Sequence, residues 1–424
     1  MRWAEYPLSR LAERFISGGT PTTKIEEYWQ GDIPWITGAD FLNGEVTIGR
    51  RYINKAAVNN SATNIVPRGS ILMVTRTGVG KIAIAPADIA ISQDITGIVP
   101  KSGLSAKYIL SAIRNKMAII LAAQRGATIK GVTRKDIEIL PIPLAPPSEQ
   151  RRIVEILDQA DALRKKRAEA DAKASRILPA LFYKMFGDPA TNPKGWPTDK
   201  LGNLFDVVGG GTPSKSIPEY WDGDIPWVSP KDMKFDVIRH TEDHITPEAI
   251  RNSATRLINQ GAILVVYRSG ILTHSFPVAI AGRDVTINQD LKALTSKSEV
   301  RNEFLFGLLS ALPSIGLSCV KKGATVHNID GSRFLGLEIP KPSKTIQDAF
   351  AVHLEILLTH KRKRQAVGAQ IEKLFSVLLY RAFTGDLTVK WREARMKELL
   401  QEMEEQAKAL ETTNHTKHMK GIPK

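Results

Sequence analysis

Apolar residues recur with two different textures along this 424-residue chain. From Ile153 they fall three or four positions apart, at Ile156, Ala160 and Leu163, then at Ala170, Ala174, Ile177 and Leu181, interrupted by Arg167. The spacing returns at Ile346, Phe350, Leu354 and Leu357, then at Val367, Ile371, Leu374 and Leu378. A stripe of this period is what two helices need to pack side by side as a coiled coil. "APPSEQ" supplies a start signal for the first helix, with Ser148 as its N-cap. Running from about Glu149 to Phe186, that helix would be roughly 57 Å long. Pro179 conflicts with it, because proline lacks the N–H and clashes with the preceding turn, so a kink or break is expected near there.

The segments before each stripe are rich in β-branched residues and punctuated by Gly and Pro. "GSILMVTRTG" and "GAILVVYRSG" read as short buried strands bounded by turn signals. "SAKYILSAIRNKMAIILAAQ" and "RNEFLFGLLSAL" read as helices. Without a regular strand–helix alternation, the pattern predicts an α+β module.

Both textures appear twice because the chain is duplicated. "GGTPTTKIEEYWQGDIPWI" from Gly18 is answered by "GGTPSKSIPEYWDGDIPWV" from Gly210, 192 positions later. W-x4-L-x2-L occurs at Trp3 and Trp196, "NSAT" at Asn60 and Asn252, and "GAT" at Gly126 and Gly323. "TRTG" answers "YRSG", "SQDI" answers "NQDL", and "LFYKMFGD" answers "LLYRAFTGD". A solenoid unit spans only ~20–50 residues, so this is a repeat of a whole module plus its helix. The predicted fold class is therefore α+β: two duplicated α/β modules separated by two long antiparallel coiled-coil helices, related by a pseudo-twofold. The expected boundaries are residues 1–147 and 189–343 for the modules, 148–188 and 344–386 for the helices, and 387–424 for a charged tail.

Charge narrows the partner. Lys and Arg number 59 against 44 Asp and Glu, giving +15 and a pI near 9.7. Such a surplus suggests a polyanion, most commonly nucleic acid. Cys319 is the single cysteine, which excludes an intramolecular disulfide framework or a Cys-rich zinc site. No secretory signal is visible and no apolar run approaches the ~18–20 residues of a membrane span, so the expected setting is soluble, reducing and intracellular.

Catalytic motifs are approached but not met. "TGVGKI" at Thr77 resembles the end of a P-loop, yet Thr75 stands where the first glycine belongs and Ile82 where the hydroxyl belongs. "HTEDH" lacks a Glu directly after His240, as a zincin requires. "NPKG" and "DPAT" lack the second proline and the aromatic of an amino-methyltransferase. The paired glycines precede Thr-Pro rather than the helix of a dinucleotide site, and no nuclease-type carboxylate cluster appears. The chain reads as a recognition protein without a cofactor of its own. Its rivals are a self-contained DNA methyltransferase or nuclease with unrecognised motifs, and a basic coiled-coil adaptor for an acidic protein.

For a reader of duplex DNA, positions identical in both copies suit scaffold or phosphate contacts, and loops that differ suit base discrimination. Thr20 and Thr212 are shared. So are Arg76 and Arg268, which fit either a phosphate or invariant base contact or an internal ion pair, and Gln93-Asp94 with Gln289-Asp290. Trp35 and Trp227 are expected to pack inside. Among the divergent loops, "TKIE", with Thr23 and Lys24, faces "KSIP" from Lys215, which Ser214 precedes, and Thr37 and Asp40 face Ser229 and Lys231. Thr77 and Lys81 answer the segment that begins with Ser269. Arg125, Thr128 and Lys130 face Lys321, Lys322, Thr325, His327 and Asn328. Their donors and acceptors can meet base edges or phosphates; the plainer reading is solvated loop. The runs "RKKR" at Arg164 and "HKRKR" at His360 are either a solvated helix face or contacts to spacer phosphates.

Taken together, the repeated "GGTP…YW.GDIPW", the "QD" and "GAT" segments and the two long helices resemble a specificity subunit of a type I restriction–modification system, over roughly residues 1–390. The resemblance implies two target-recognition domains, each reading one half of a bipartite asymmetric sequence in double-stranded DNA. It implies that the helices, at about 149–186 and 345–384, set the half-site spacing and dock two DNA methyltransferase (modification) subunits, with restriction/translocase subunits joining them. S-adenosylmethionine and ATP would then belong to those partners, and the setting would be the DNA-associated cytoplasm of a prokaryote. The tail from about Lys390 departs from the pattern, since the first copy has nothing like it; it reads as a charged helix with a disordered-looking end, a partner-binding addition or an inert extension.

Overall fold

The computed structural model describes residues 3–126, 130–323 and 326–419, with side chains to residue 411. Two compact units emerge: Met1–Arg167 with Gly368–Lys424, and Ala168–Val367. Each unit thus holds one module plus a length of both long helices, rather than a module alone.

The two modules share one topology. In the first, a four-stranded antiparallel sheet has the order Ala12–Ser17, Ile95–Pro100, Ile71–Val74, Ile82–Ile84. In the second, the order is Phe205–Gly209, Leu291–Ser296, Ile263–Val266, Val278–Ala281, with Val237–Ile238 added as a fifth strand. At the corresponding place the first module has only the Phe41–Leu42/Glu45–Val46 hairpin. A second sheet runs Tyr52–Ile53, Ile33–Ile36, Ile89–Ile91, Asn64–Val66, and its counterpart Asp243–Ile245, Ile225–Val228, Val285–Ile287, Leu257–Ile258. In both, the central pair is parallel and the outer pairs antiparallel. A short ladder joins each module's start to its end: Glu5–Pro7 to Pro141–Pro143, and Thr198–Lys200 to Glu338–Pro340.

The repeated sequence words explain these elements. Leu8 and Leu11, with Leu201 and Leu204, form one-turn helices whose leucines are buried, which is why W-x4-L-x2-L recurs. The runs "ILMV" and "ILVV" are buried on both faces and therefore do not alternate. Ser105 caps the Ala106–Asn115 helix, which breaks at Lys116 before Met117–Ala122 continues. Asn302–Ala311 is its counterpart.

The first long helix spans Pro147–Ala174, and a second begins at Ile177 and ends at Phe186. The break expected near Pro179 falls at Ser175–Arg176. Its cause is still Pro179, whose ring would clash with the carbonyl of Ser175; restarting the helix at Ile177 puts the proline in a first turn, where no N–H is needed. Ser148 is not the N-cap. The helix starts one residue earlier at Pro147, and the amide and hydroxyl of Ser148 both donate to Glu402 Oε2 at 2.8 Å. The other long helix, Lys344–Thr384, is unbroken.

Within each unit the helices pair antiparallel. In the first, Arg164 bonds Glu372 at 2.6 Å and stacks on Phe375. In the second, Asp171 meets Arg364 at 3.4 Å while Phe182 and Phe186 meet Phe350. The tail is built into the first unit. It forms helices Val389–Glu393 and Met396–Met419, with Leu399 and Leu410 buried. Arg392 donates to the buried Glu149 at 2.8 Å, as do the Thr388 hydroxyl at 2.6 Å and Trp3 Nε1 at 3.2 Å.

Candidate nucleic-acid interface

In each module the two parallel strands end side by side, and the loops leaving them meet the end of the buried strand. Ser92 N bonds Ile36 O, and Thr75 N bonds Asp94 O. The copy repeats this with Asn288 N to Val228 O and Tyr267 N to Asp290 O. Residues identical in both copies lock this edge. Gly18 and Gly210 lie so close to the next strand that a Cβ would come within 2.2 Å of Ser92 O or 2.0 Å of Ile287 O. Trp35 and Trp227 are buried, and their indole N–H groups donate to Gly19 O and Gly211 O at 3.1 and 3.0 Å. Each packs edge-on against a second tryptophan, Trp29 or Trp221. Thr20 and Thr212 are exposed and donate to the side-chain oxygens of Gln93 and Gln289.

Several expected site residues have their polar groups occupied within the fold. Asp40 is buried and accepts from the amide and hydroxyl of Thr37 at 2.8 and 3.0 Å and from Arg50 at 3.0 Å. Ser229 makes the same bonds to Asp232, both at 2.8 Å. Lys81 Nζ donates to Gly38 O at 2.7 Å. Lys231 lies between Glu242 and Asp243 at 2.8 and 2.9 Å, and these two carboxylates raise its pKa further above the ordinary lysine value.

Others remain outward. Thr23, Lys24, Ser214 and Lys215 are exposed on the loop before each first tryptophan; Ser214 bonds Ser216, and Lys215 lies 5.9 Å over Trp221. Thr77 is exposed with φ +49°, in a turn followed by Gly78. Ser269 is half-buried and accepts from Ile271 N.

The remaining candidates converge on one feature. In the second module Arg268–Ser269, His327–Ile329 and Val320–Lys321 form a three-stranded sheet in which Asn328 lies opposite both Arg268 and Lys321. Directly opposed residues share a face, and Arg268, Asn328 and Lys321 are all exposed, whereas Ile329, of opposite parity, is buried. Arg268 Nε lies 4.0 Å from Asp290. Lys321 pairs with Asp330 at 2.9 Å and thereby lowers that carboxyl's pKa. Lys322 is exposed beside them, and His327 Nδ1 accepts from Gly323 N at 3.2 Å.

The first module builds the same row more simply: Gly131 bridges Arg76 on one side and Arg125 on the other. The equivalence is fixed by one hydrogen bond, Val132 N to Thr75 O at 2.9 Å against Ile329 N to Tyr267 O at 2.8 Å. The Arg76 guanidinium has no ion-pair partner among the described residues; Arg125 reaches Asp136 at 3.4 Å, and Lys130 is exposed. Thr128 and Thr325 lie outside the described residues.

Two residues missed from the sequence belong to this edge. Arg50 pairs with Asp40, and Arg51 lies over Trp29 and Trp35 at 5.7 and 5.8 Å. The signal was the "RR" pair itself, opposite "ED" at Glu242-Asp243 in the other copy. Among the described residues no three His, Cys, Asp or Glu side chains cluster as metal ligands, and no helix is long and apolar enough to cross a membrane.

Residues 2–170 and 193–369 match the family model described as "Type I restriction modification DNA specificity domain". Over 397 residues the chain is 28% identical to the MjaIX type I restriction enzyme specificity subunit of Methanocaldococcus jannaschii, spanning 88% of this chain and 91% of that one. Over 200 residues it is 35% identical to the EcoR124I/EcoR124II specificity subunit of Escherichia coli, 46% of this chain and 48% of that one. Among solved structures, the S subunit of a type I restriction–modification system from M. genitalium matches with a TM-score of 0.50 at 13% identity, covering 90% of this chain and 96% of that one. A chain solved in work on assembly and conformational transition of the type I R-M system matches with a TM-score of 0.52 at 17% identity, covering 91% and 98%. At these identities the structural matches show the fold alone.

Proposed function

This chain belongs to the type I restriction–modification DNA specificity family, and we propose that it is the non-catalytic subunit that reads a bipartite, asymmetric DNA target, one half-site per module. The observation that carries this reading is the doubled edge: identical residues hold it rigid, and a cation-flanked row projects from it in each copy. Phosphate contacts from Arg76, Arg125, Arg268 and Lys321 would position each module, with the differing loops discriminating bases.

The helices would serve as spacer and docking surface. The first unit leaves Leu163, Leu374, Val377 and Tyr380 exposed on its helices, and the second Ile177, Val352, Ile356 and Val367. One such surface per unit supports docking of two methyltransferase subunits, joined by restriction subunits. S-adenosylmethionine and ATP would be bound by these partners, in the cytoplasm of a prokaryote.

Co-expression of the full chain with its modification subunit, followed by genome-wide mapping of methylated bases, tests this reading. The expected result is one motif with two unlike half-sites around an unspecified spacer. Methylation at a continuous motif, or methyl transfer by this chain alone, would overturn it.

A further inference from the structure

The two projecting rows differ at their centre, and the difference has a chemical reading. Gly131 in the first module offers no side chain, and a Cβ there would press within 3.1 Å of both Thr75 O and the Arg76 side chain. Asn328 in the second occupies the same register. Its side-chain amide is exposed and has no hydrogen-bond partner among the described residues. It is flanked by Arg268 and Lys321, which meet Asp290 at 4.0 Å and Asp330 at 2.9 Å but keep side chains 59% and 70% exposed, so that phosphates can still reach them. An amide between two cations presents one donor and one acceptor to whatever those cations hold against the sheet.

Resting on the reading of the chain as a DNA specificity subunit, we infer that Asn328 is a base-reading residue of the second module, contacting the major-groove edge of an adenine. Asparagine matches adenine there with two bonds, its carbonyl accepting from N6 and its NH₂ donating to N7. The neighbouring cations fix the depth and register of the sheet without adding sequence information. In the first module the glycine removes this contact, leaving Arg76 and Arg125 as the row's long side chains among the described residues. Unlike half-sites therefore arise at a structurally equivalent position.

The test uses the complex of the full chain with its modification subunit, and duplexes of the mapped target in which each base pair is changed in turn. The wild-type complex is expected to demand adenine at one position of one half-site. Asn328→Gly, which installs the first module's residue in the same ladder, should lower that discrimination roughly ten- to hundredfold and leave every other position unchanged. Asn328→Asp should shift the preference toward cytosine, because a carboxylate accepts from the cytosine N4 amine but repels N7. Uniformly weaker binding with all preferences intact would overturn the inference, as would relaxation in both half-sites. Absence of any bipartite motif in the wild-type complex is the distinct result that defeats the underlying reading instead.

Discussion

The two modules share strand order, tryptophan pairs and glycine close approaches, yet their bases against the helices are built from different chemistry. The second packs Phe182, Phe186, Phe304 and Phe350 into one aromatic cluster, with centroids 4.8 to 5.7 Å apart. The first retains Phe383 at the corresponding place, against Tyr108 at 5.3 Å, and Ile153 replaces a ring. Tyr108 keeps its hydroxyl buried by donating to Pro143 O at 2.7 Å, and burial raises its pKa. Beside it lies the buried Glu149–Arg392 pair, supplied by the tail; the second module has Ile346 where Glu149 would be. A duplicated topology thus tolerates two kinds of base, one sealed by aromatic packing and one by an ion pair whose second half arrives from the end of the chain.

Breaking each base should expose the difference most strongly. Glu149→Ala strands the Arg392 charge in the interior and should cost about 3–5 kcal/mol. Phe350→Ala opens a cavity of comparable cost, about 3–5 kcal/mol. Hydrogen exchange should report each loss in its own module. The double change Glu149→Ile and Arg392→Met removes both charges and should recover part of the stability, the remainder staying lost because the buried Trp3 N–H and Thr388 hydroxyl lose their acceptor.

The edges should behave alike where the bases do not. Trp35→Phe and Trp227→Phe each delete one buried N–H donation to a glycine carbonyl and shrink a buried ring, and should each cost about 2–3 kcal/mol, read as similar shifts in exchange protection. A marked inequality would show that the shared tryptophans have diverged in role.

The smallest effects concern exposed cations, and they separate free from occupied charge. Arg76→Ala should weaken DNA binding and reduce the slope of log affinity against log salt by about 1. Lys231→Ala should leave that slope nearly unchanged, since Glu242 and Asp243 already hold the ammonium.

Much of the fold was legible because one chain carries its own comparison. Two copies of "GGTP…YW.GDIPW" marked what the scaffold needs, and the buried glycines and tryptophans show why. Periodicity located both long helices, and Pro179 marked the break, which falls where its ring would strike the preceding turn. The stripe itself overreached, since Leu163, Ile177, Val367 and Leu374 are exposed, and Ser148 lies inside the helix, its amide and hydroxyl donating to Glu402, 254 positions away. Long-range partners of this kind leave no local trace, which is also why the tail read as a separate extension. Asn328 illustrates the limit at the site. Its loop read as one of several divergent segments, and only strand register sets it between Arg268 and Lys321.

On the proposed reading, one scaffold, built twice, reads two half-sites independently. That reading is tested most directly by replacing the second module with a further copy of the first and mapping the methylated motif of the reassembled complex. The expected target contains the first module's half-site twice. An unchanged asymmetric motif would contradict that reading.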